Sequence, residues 1–345
     1  MSDHGEGAGD GQWGPPYLLY LGQAADDLAI KTARGLAFWR PEWCVGQHRH
    51  PDCRYTLGLP DMSFEQAHDA GADTMVIGTA NAGGVMVPET VTDIVNGLNA
   101  GLNVVAGLHQ KLRDNPFIVA AARRNGRVLY DARDFTRNIP VGNGRKRAGH
   151  RLLTVGTDCS VGKMYTALAL ERSMRSRGLA ADFRATGQTG IFVAGGGIPV
   201  DSVIADFISG AAEWISPARE DGGWDLIEGQ GSLFHPSYAG VSLALLHGSQ
   251  PDVIVACHDV ARTTLLGHPE FPLPSVEEVI ELNLRLGART NPAIRCGGVT
   301  INTASLEAEA AAALLDREAD RLGLPVADPI RGGDRFERLL DRCLG

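Results

Sequence analysis

The sequence predicts an α/β protein of two domains, each a mainly parallel sheet with helices on both faces, the C-terminal one of P-loop NTPase-like fold. Three observations carry this expectation. Short apolar runs alternate with helical periodicity along the chain, the pattern of a parallel sheet flanked by helices. The alternation breaks in FTRNIPVGNGRKRAGH, 135–150, which is rich in Gly, Pro and basic residues, and then starts again. Directly after the break, RLLTVGTDCSVGKMYTALALE reads as strand, glycine loop, Gly-Lys and helix.

The opening residues, 1–16, are glycine-rich and acidic and read as a disordered tail. They lack the basic-then-apolar order of a signal peptide. The first domain spans 17–140. LLYL at 18–21 is a strand, and 24–38 places Ala25, Leu28, Ala29, Ala33 and Leu36 at helical spacing. Ser63 followed by Gln66 is a capping-box signature before a helix ending near Gly71. TMVIG at 74–78 is a buried strand, NAGG at 81–84 a strand–helix loop, and a helix runs from Pro88 to Gly101. NVVAG at 103–107, a helix near 116–124 and RVLYD at 127–131 complete the series.

Residues 141–150 form a linker, and the second domain spans 151–345. Its strands are RLLTVG at 151–156, ADFRA at 181–185, WDLIEG at 224–229, DVIVAC at 252–257 and GVTIN at 298–302. Helices are expected near 162–177, 201–213, 275–286, 305–322 and 333–342, with GGG at 195–197 a flexible loop.

Composition narrows the function. The chain has 345 residues, 44 % of them hydrophobic and 21 % charged, enough for a large core. A net charge of −9 with interspersed signs argues against a nucleic-acid surface. No run of 18 apolar residues occurs, so no membrane span is expected. The cysteines Cys44, Cys53, Cys159, Cys257, Cys296 and Cys343 are scattered without a C-x-x-C pair. Neither a zinc cage nor a disulfide framework is expected, no metal ligands are assigned, and the reducing cytoplasm is the expected compartment.

The stretch Gly156, Thr157, Asp158, Cys159, Ser160, Val161, Gly162, Lys163 is a phosphate-binding loop. Its glycines let backbone N–H groups face phosphates. The following helix N-terminus adds partial positive charge, and Lys163 adds a full one. Two features depart from the common loop. Five residues, not four, separate Gly156 from Gly162, and Met164 replaces the hydroxyl residue that normally holds Mg²⁺. A thioether is a poor ligand for a hard cation, which weakens the case for ATP hydrolysis. Thr157 or Ser160 is an alternative hydroxyl source.

GTDCSVGK resembles the variant loop of dethiobiotin synthetase and its relatives. That likeness implies a metal-proximal Glu at Glu228 in WDLIEGQGS and an adenine-reading Asn at Asn302 in GGVTIN. The longer segments GTDCSVGKMYTALALE, ATGQTGI, DFISGAAEW and IEGQGSLFHPSYAGVSLALLHGSQPD, with KTARGLAFWRPEWCVGQ and NAGGV upstream, are similar to one two-domain family. The family joins a Rossmann-like N-terminal domain to a P-loop C-terminal domain, and its best-understood branch is that of the D-glutamate N-acetyltransferases. The resemblance covers about residues 17–345. It implies acetyl-CoA as cosubstrate, a D-amino acid as the small-molecule partner, a role in D-amino-acid catabolism, and a homo-oligomer. Coenzyme A carries a pyrophosphate and a 3′-phosphate, so Met164 would then be tolerable: no bond to phosphorus breaks. The competing reading is an ATP- and Mg²⁺-dependent kinase or ligase.

Acetyl transfer to an amine needs a base, oxyanion donors and cations for the acceptor's carboxylates. Base candidates are Glu228, His235 in GSLFHPS and His258 in ACHDVARTT, each at or beyond the end of an apolar strand. Backbone amides of Gly187–Gly190 or Gly229–Ser232 are candidate oxyanion donors. Arg184, Gln188 and Arg262 are candidate acceptor contacts. Cys159 lies inside the loop, where a lowered thiol pKa would make it nucleophilic, although phosphates should occupy that spot.

Overall fold

The computed structural model describes residues 13–26, 29–79, 86–135 and 138–345. NAGG at 81–84 and most of the expected tail lie outside them. The chain forms two compact units. The first runs to Arg137 and also takes in Gln188–Ser202; the second comprises Asn138–Gly187 and Val203–Gly345. The expected linker, 141–150, is thus part of the second unit: the amides of Asn143 and Gly144 donate to Glu213.

The first unit is built from β1 (Tyr17–Gly22), α1 (Lys31–Trp39), β2 (Cys44–Arg49), α2 (Phe64–Asp69), β3 (Thr74–Ile77), α3 (Pro88–Asn99), β4 (Asn103–Ala106), α4 (Pro116–Asn125) and β5 (Leu129–Asp131). All five strands are parallel, in the order β2-β1-β3-β4-β5. Alternate residues face opposite sides of a strand. Leu18, Tyr20, Met75, Ile77, Val104 and Ala106 accordingly share one core with Ile94, Leu98, Ile118 and Ala121 from the helices. Ser63 forms the expected capping box with Gln66. The helix expected over 24–38 begins instead at Lys31, and the amide of Ala29 just before it donates to Asp26 Oδ1 at 2.7 Å. Trp13, expected in the tail, packs on Tyr130 and edge-on against Phe192.

The second unit holds β6 (His150–Gly156), α5 (Lys163–Ser176) and β7 (Ala181–Arg184). The chain then supplies α6 (Gln188–Ala194) to the first unit, where Thr189 meets Thr32 at 3.0 Å. It returns with α7 (Ile208–Ile215), β8 (Trp224–Ile227), α8 (Ala239–Ser249), β9 (Val253–Asp259), a hairpin of β10 (Thr264–Leu265) and β11 (His268–Pro272), and α9 (Val276–Gly287). β12 (Arg295–Asn302), α10 (Ala308–Leu322), β13 (Val326–Ala327) and α11 (Asp334–Leu344) end it. Its main sheet is also wholly parallel, in the order β13-β12-β9-β6-β8-β7. Leu153, Val155, Ile227, Ile254, Ala256, Val299 and Ile301 share a core with Val276, Val279 and Leu315. Among the described residues, no helix is long and apolar enough to cross a membrane.

Candidate phosphate site at the carboxyl edge of the second sheet

After β6 the chain adds β7 and β8 on one side and β9 on the other, so the strand order reverses around it. Open parallel sheets bind ligands outside the strand ends at such a point. Gly156 closes β6 there, and the amide of Thr157 donates to the Cys257 carbonyl of β9 at 3.0 Å. Ser160 and Gly162 take positive φ angles of 55° and 98°, turning the loop into the first turn of α5.

The loop is braced from its underside. Asp158 is fully buried, and its carboxylate accepts from the amides of Cys159 (2.6 Å) and Leu266 (2.7 Å) and from Arg262 (2.9 Å). Arg262 donates as well to the Cys159 carbonyl at 2.8 Å. Leu266 belongs to the turn of the β10–β11 hairpin, so the hairpin and Arg262 together fix the loop. Arg262, expected to clamp a substrate carboxylate, is engaged here with the protein's own.

Lys163 is buried and donates to the Asp158 carbonyl at 2.6 Å. Burial pushes its ammonium pKa down. A phosphate arriving at the loop would restore the charge that burial disfavours, so the donor set fits a phosphorylated ligand. Thr157 is buried, and its hydroxyl lies 3.1 Å from His258 Nδ1. Met164 is half-buried on the first turn of α5.

Glu228 follows β8 and is buried. Its Oε2 accepts from the amides of Thr186 (2.9 Å) and Gly187 (3.0 Å). Desolvation nevertheless pushes its pKa up to about 7, against those two hydrogen bonds and the attraction of Lys163. The next residue, Gly229, donates its amide to Thr154 Oγ1 at 3.0 Å. A small pocket, with room for about one water, lies between the end of β6 and the Gly229–Leu233 segment. The expected oxyanion amides of Gly187 and Gly229 are therefore already donating within the protein.

His258 is the penultimate residue of β9 and is half-buried, and burial lowers its pKa, which favours the neutral ring at pH 7. His235 is only 1 % exposed, not the exposed loop residue its sequence context suggests. Its Nδ1 accepts from the Ser237 amide at 3.1 Å, and its ring stacks on Tyr238. Asp158, Cys159 and His235 bring donor atoms within 4.8 Å of one another, but the Asp158 and His235 lone pairs are taken as described.

Asn302 ends β12 beside these groups, where its side chain donates to Asp259 (2.9 Å) and accepts from the Ala304 amide (3.1 Å). Arg184 turns away to pair with fully buried Asp225 at 2.8 Å, in a cluster with Arg219 and Asp182. Gln188 lies in the first unit against Gly107, where a side chain on that glycine would collide with it at 2.0 Å. Thr154, Thr186 and Gln230 were not singled out from sequence, yet they hold Glu228 and Gly229 in place. Thr154 could have been noticed as the polar residue within the apolar run LLTV.

Family models match both parts of the chain. A "Domain of unknown function (DUF1611_C) P-loop domain" covers residues 140–340, and a "Domain of unknown function (DUF1611_N) Rossmann-like domain" covers 48–135. A protein named D-glutamate N-acetyltransferase from Tritonibacter scottomollicae is 49 % identical over 318 residues, 92 % of this chain and 96 % of that one. Another so named, from a Pseudoalteromonas species, is 47 % identical over 319 residues with the same coverage. The 2.30 Å crystal structure of a DUF1611 family protein from Anabaena variabilis superposes with a TM-score of 0.87 at 30 % identity, covering 95 % of this chain and 98 % of that one. The two-domain resemblance read from the loop and its flanking segments is borne out, and the chain belongs to the DUF1611 family.

Proposed function

We propose that this protein is an N-acetyltransferase that moves the acetyl group of acetyl-CoA onto the amino group of D-glutamate, in D-amino-acid catabolism. The observation that carries the reading is identity of 47–49 % across 92 % of the chain with relatives named for that activity. The loop supports it. Lys163 and the loop amides suit the phosphates of coenzyme A, and Met164 is tolerable because no metal need be held there. In the reaction the amine nitrogen attacks the thioester carbonyl, the carbon–sulfur bond breaks, and the coenzyme leaves as a thiol. A base must take the amine proton. Glu228, with a pKa near 7, is the assigned base; His258, neutral and half-buried, is the alternative. None of the six cysteines is in a disulfide, which fits a reducing cytoplasm.

Thiol release from acetyl-CoA, measured with D-glutamate and with L-glutamate beside an ADP-release assay with ATP, tests the reading. Thiol release that depends on D-glutamate is expected. ADP release without thiol release would instead favour an ATP-dependent kinase or ligase, and silence in both assays would sink the catalytic reading.

A further inference from the structure

The first unit carries a second cluster of chemistry-bearing side chains, separate in sequence from the phosphate loop. His48 lies on β2 and His50 is the residue just past its end, and the two rings stand near one another, with centroids 6.3 Å apart. Asp93 on α3 stands beside them. One donor atom from each of the three lies within 4.8 Å of the other two.

Each member is already oriented. The His48 ring stacks on Phe64 at 4.1 Å and lies parallel to Tyr20 at 6.0 Å. Its Nδ1 is 2.8 Å from the Met62 carbonyl, and a carbonyl can only accept. Nδ1 therefore carries the proton, and Nε2 presents a lone pair with no hydrogen-bond partner among the described residues. This is the arrangement of a metal-binding histidine, in which a backbone carbonyl fixes the tautomer through the other ring nitrogen. His50 Nε2 is 2.6 Å from Asp93 Oδ2, and the Tyr20 hydroxyl donates to the same oxygen at 2.7 Å. The side chains of His50 and Asp93 are 22 % and 13 % exposed, so an ion can reach them from solvent.

We infer that His48, His50 and Asp93 form a binding site for one divalent metal ion of the zinc class, with a coordination position left open. Two imidazoles and one carboxylate are the donor set such borderline ions favour, and three protein ligands leave the fourth position of a tetrahedron to water or a small anion. Ligand atoms around such an ion lie about 3.3 Å apart for bonds near 2.0 Å. Binding replaces the His50–Asp93 hydrogen bond: His50 gives up its Nε2 proton, to solvent or to Nδ1, and both groups turn to the ion. Tyr20 stays on Asp93 as its orienting donor. The site lies toward the carboxyl ends of β1 and β2. An open cleft lined by Gln23, Ala24, Asp52, Arg54 and Tyr55 lies just past those strands.

The test is binding, not activity. The full chain, stripped with a chelator, is titrated with Co²⁺ and followed by visible absorption, with Zn²⁺ competition and thermal unfolding alongside. One Co²⁺ per chain, displaced by Zn²⁺ and raising the melting temperature, is expected. H48Q, H50Q and D93N should each abolish it. D93N keeps the shape and the Tyr20 hydrogen bond, so its circular dichroism should match the parent and exclude misfolding. Y20F should bind with affinity lowered about 10- to 100-fold. Absence of saturable binding would overturn the inference. So would binding that survives in both H48Q and D93N. A sulfur-to-cobalt charge-transfer band would also overturn it, by placing the ion on a cysteine.

Discussion

Arg262 Nη1 lies 2.9 Å from Oδ2 of Asp158, a carboxylate with no solvent exposure, and this pair ties the phosphate loop to the segment after β9. Removing one partner of a buried pair strands the other. R262A leaves Asp158 charged with only the amides of Cys159 and Leu266, and should cost about 3 kcal/mol. D158N leaves a partly exposed guanidinium and should cost less. Urea denaturation of the two variants decides; equal costs would contradict the brace.

Lys163 is a buried ammonium held by one carbonyl. K163M should weaken acetyl-CoA binding about 100-fold, the worth of a charged hydrogen-bond set. Its effect on the empty protein should have the opposite character. Because the folded pKa lies below that of the unfolded chain, the unfolded state binds more protons as pH approaches the usual lysine range, and stability rises with pH there. K163M should remove that slope without lowering stability at pH 7. Calorimetric titration and melts across pH read the two effects separately.

Glu228 titrates in the folded protein near pH 7, against 4.5 for a free glutamate. Between those values the folded state holds the extra proton, so stability should fall as pH rises from about 4.5 to 7, by roughly 3 kcal/mol in total. E228Q should flatten that decline, since its amide oxygen can still accept from Thr186 and Gly187. As the proton acceptor, Glu228 should also give kcat a rising limb with an apparent pKa near 7, and E228Q should lower kcat by about 10²- to 10⁴-fold. A limb unchanged in E228Q would move the role to His258.

Gly229 has no room for a side chain. A Cβ there would lie 1.7 Å from the Thr154 carbonyl oxygen and 3.2 Å from Lys163 Cδ. The first neighbour is strand backbone and cannot step aside. G229A should destabilise the protein by more than about 3 kcal/mol and yield little soluble chain. A melting temperature equal to the parent's would show that the loop can move.

Cys159 contributes its backbone to the loop, donating to Asp158 and accepting from Arg262. C159S keeps both contacts and should turn over at the parental rate. Loss of turnover with acetyl-CoA binding intact would reveal an acetyl-cysteine intermediate.

Most strands of both sheets were legible because parallel strands buried on both faces read as continuous apolar runs, as in TMVI and DVIVAC. The edge strand β2, CVGQHR, was missed because its outward positions are polar. Helix α8, AGVSLALLHGS, was missed because it is apolar around most of its circumference and shows no stripe. The phosphate loop was legible because glycine, lysine and the next helix are neighbours in sequence. Its brace was not: Arg262 and Leu266 stand 104 and 108 residues from Asp158. The same distance effect hid Asp93 from His48 and His50, and left Arg184 free on paper when Asp225 already held it. Nor does anything local in QTGIFVA say which unit that helix will join.

That last helix has a consequence for how the protein is made. The chain passes between its two units at 137/138, 187/188 and 202/203. During synthesis the first unit emerges early but lacks α6, and the Thr189 partner of Thr32, until residues 138–187 have also been translated. A gene fragment cut at the apparent border would encode a first unit with one piece missing and a second with a gap to bridge. Neither unit is therefore a contiguous module, because the segment 188–202 belongs to the first and interrupts the second.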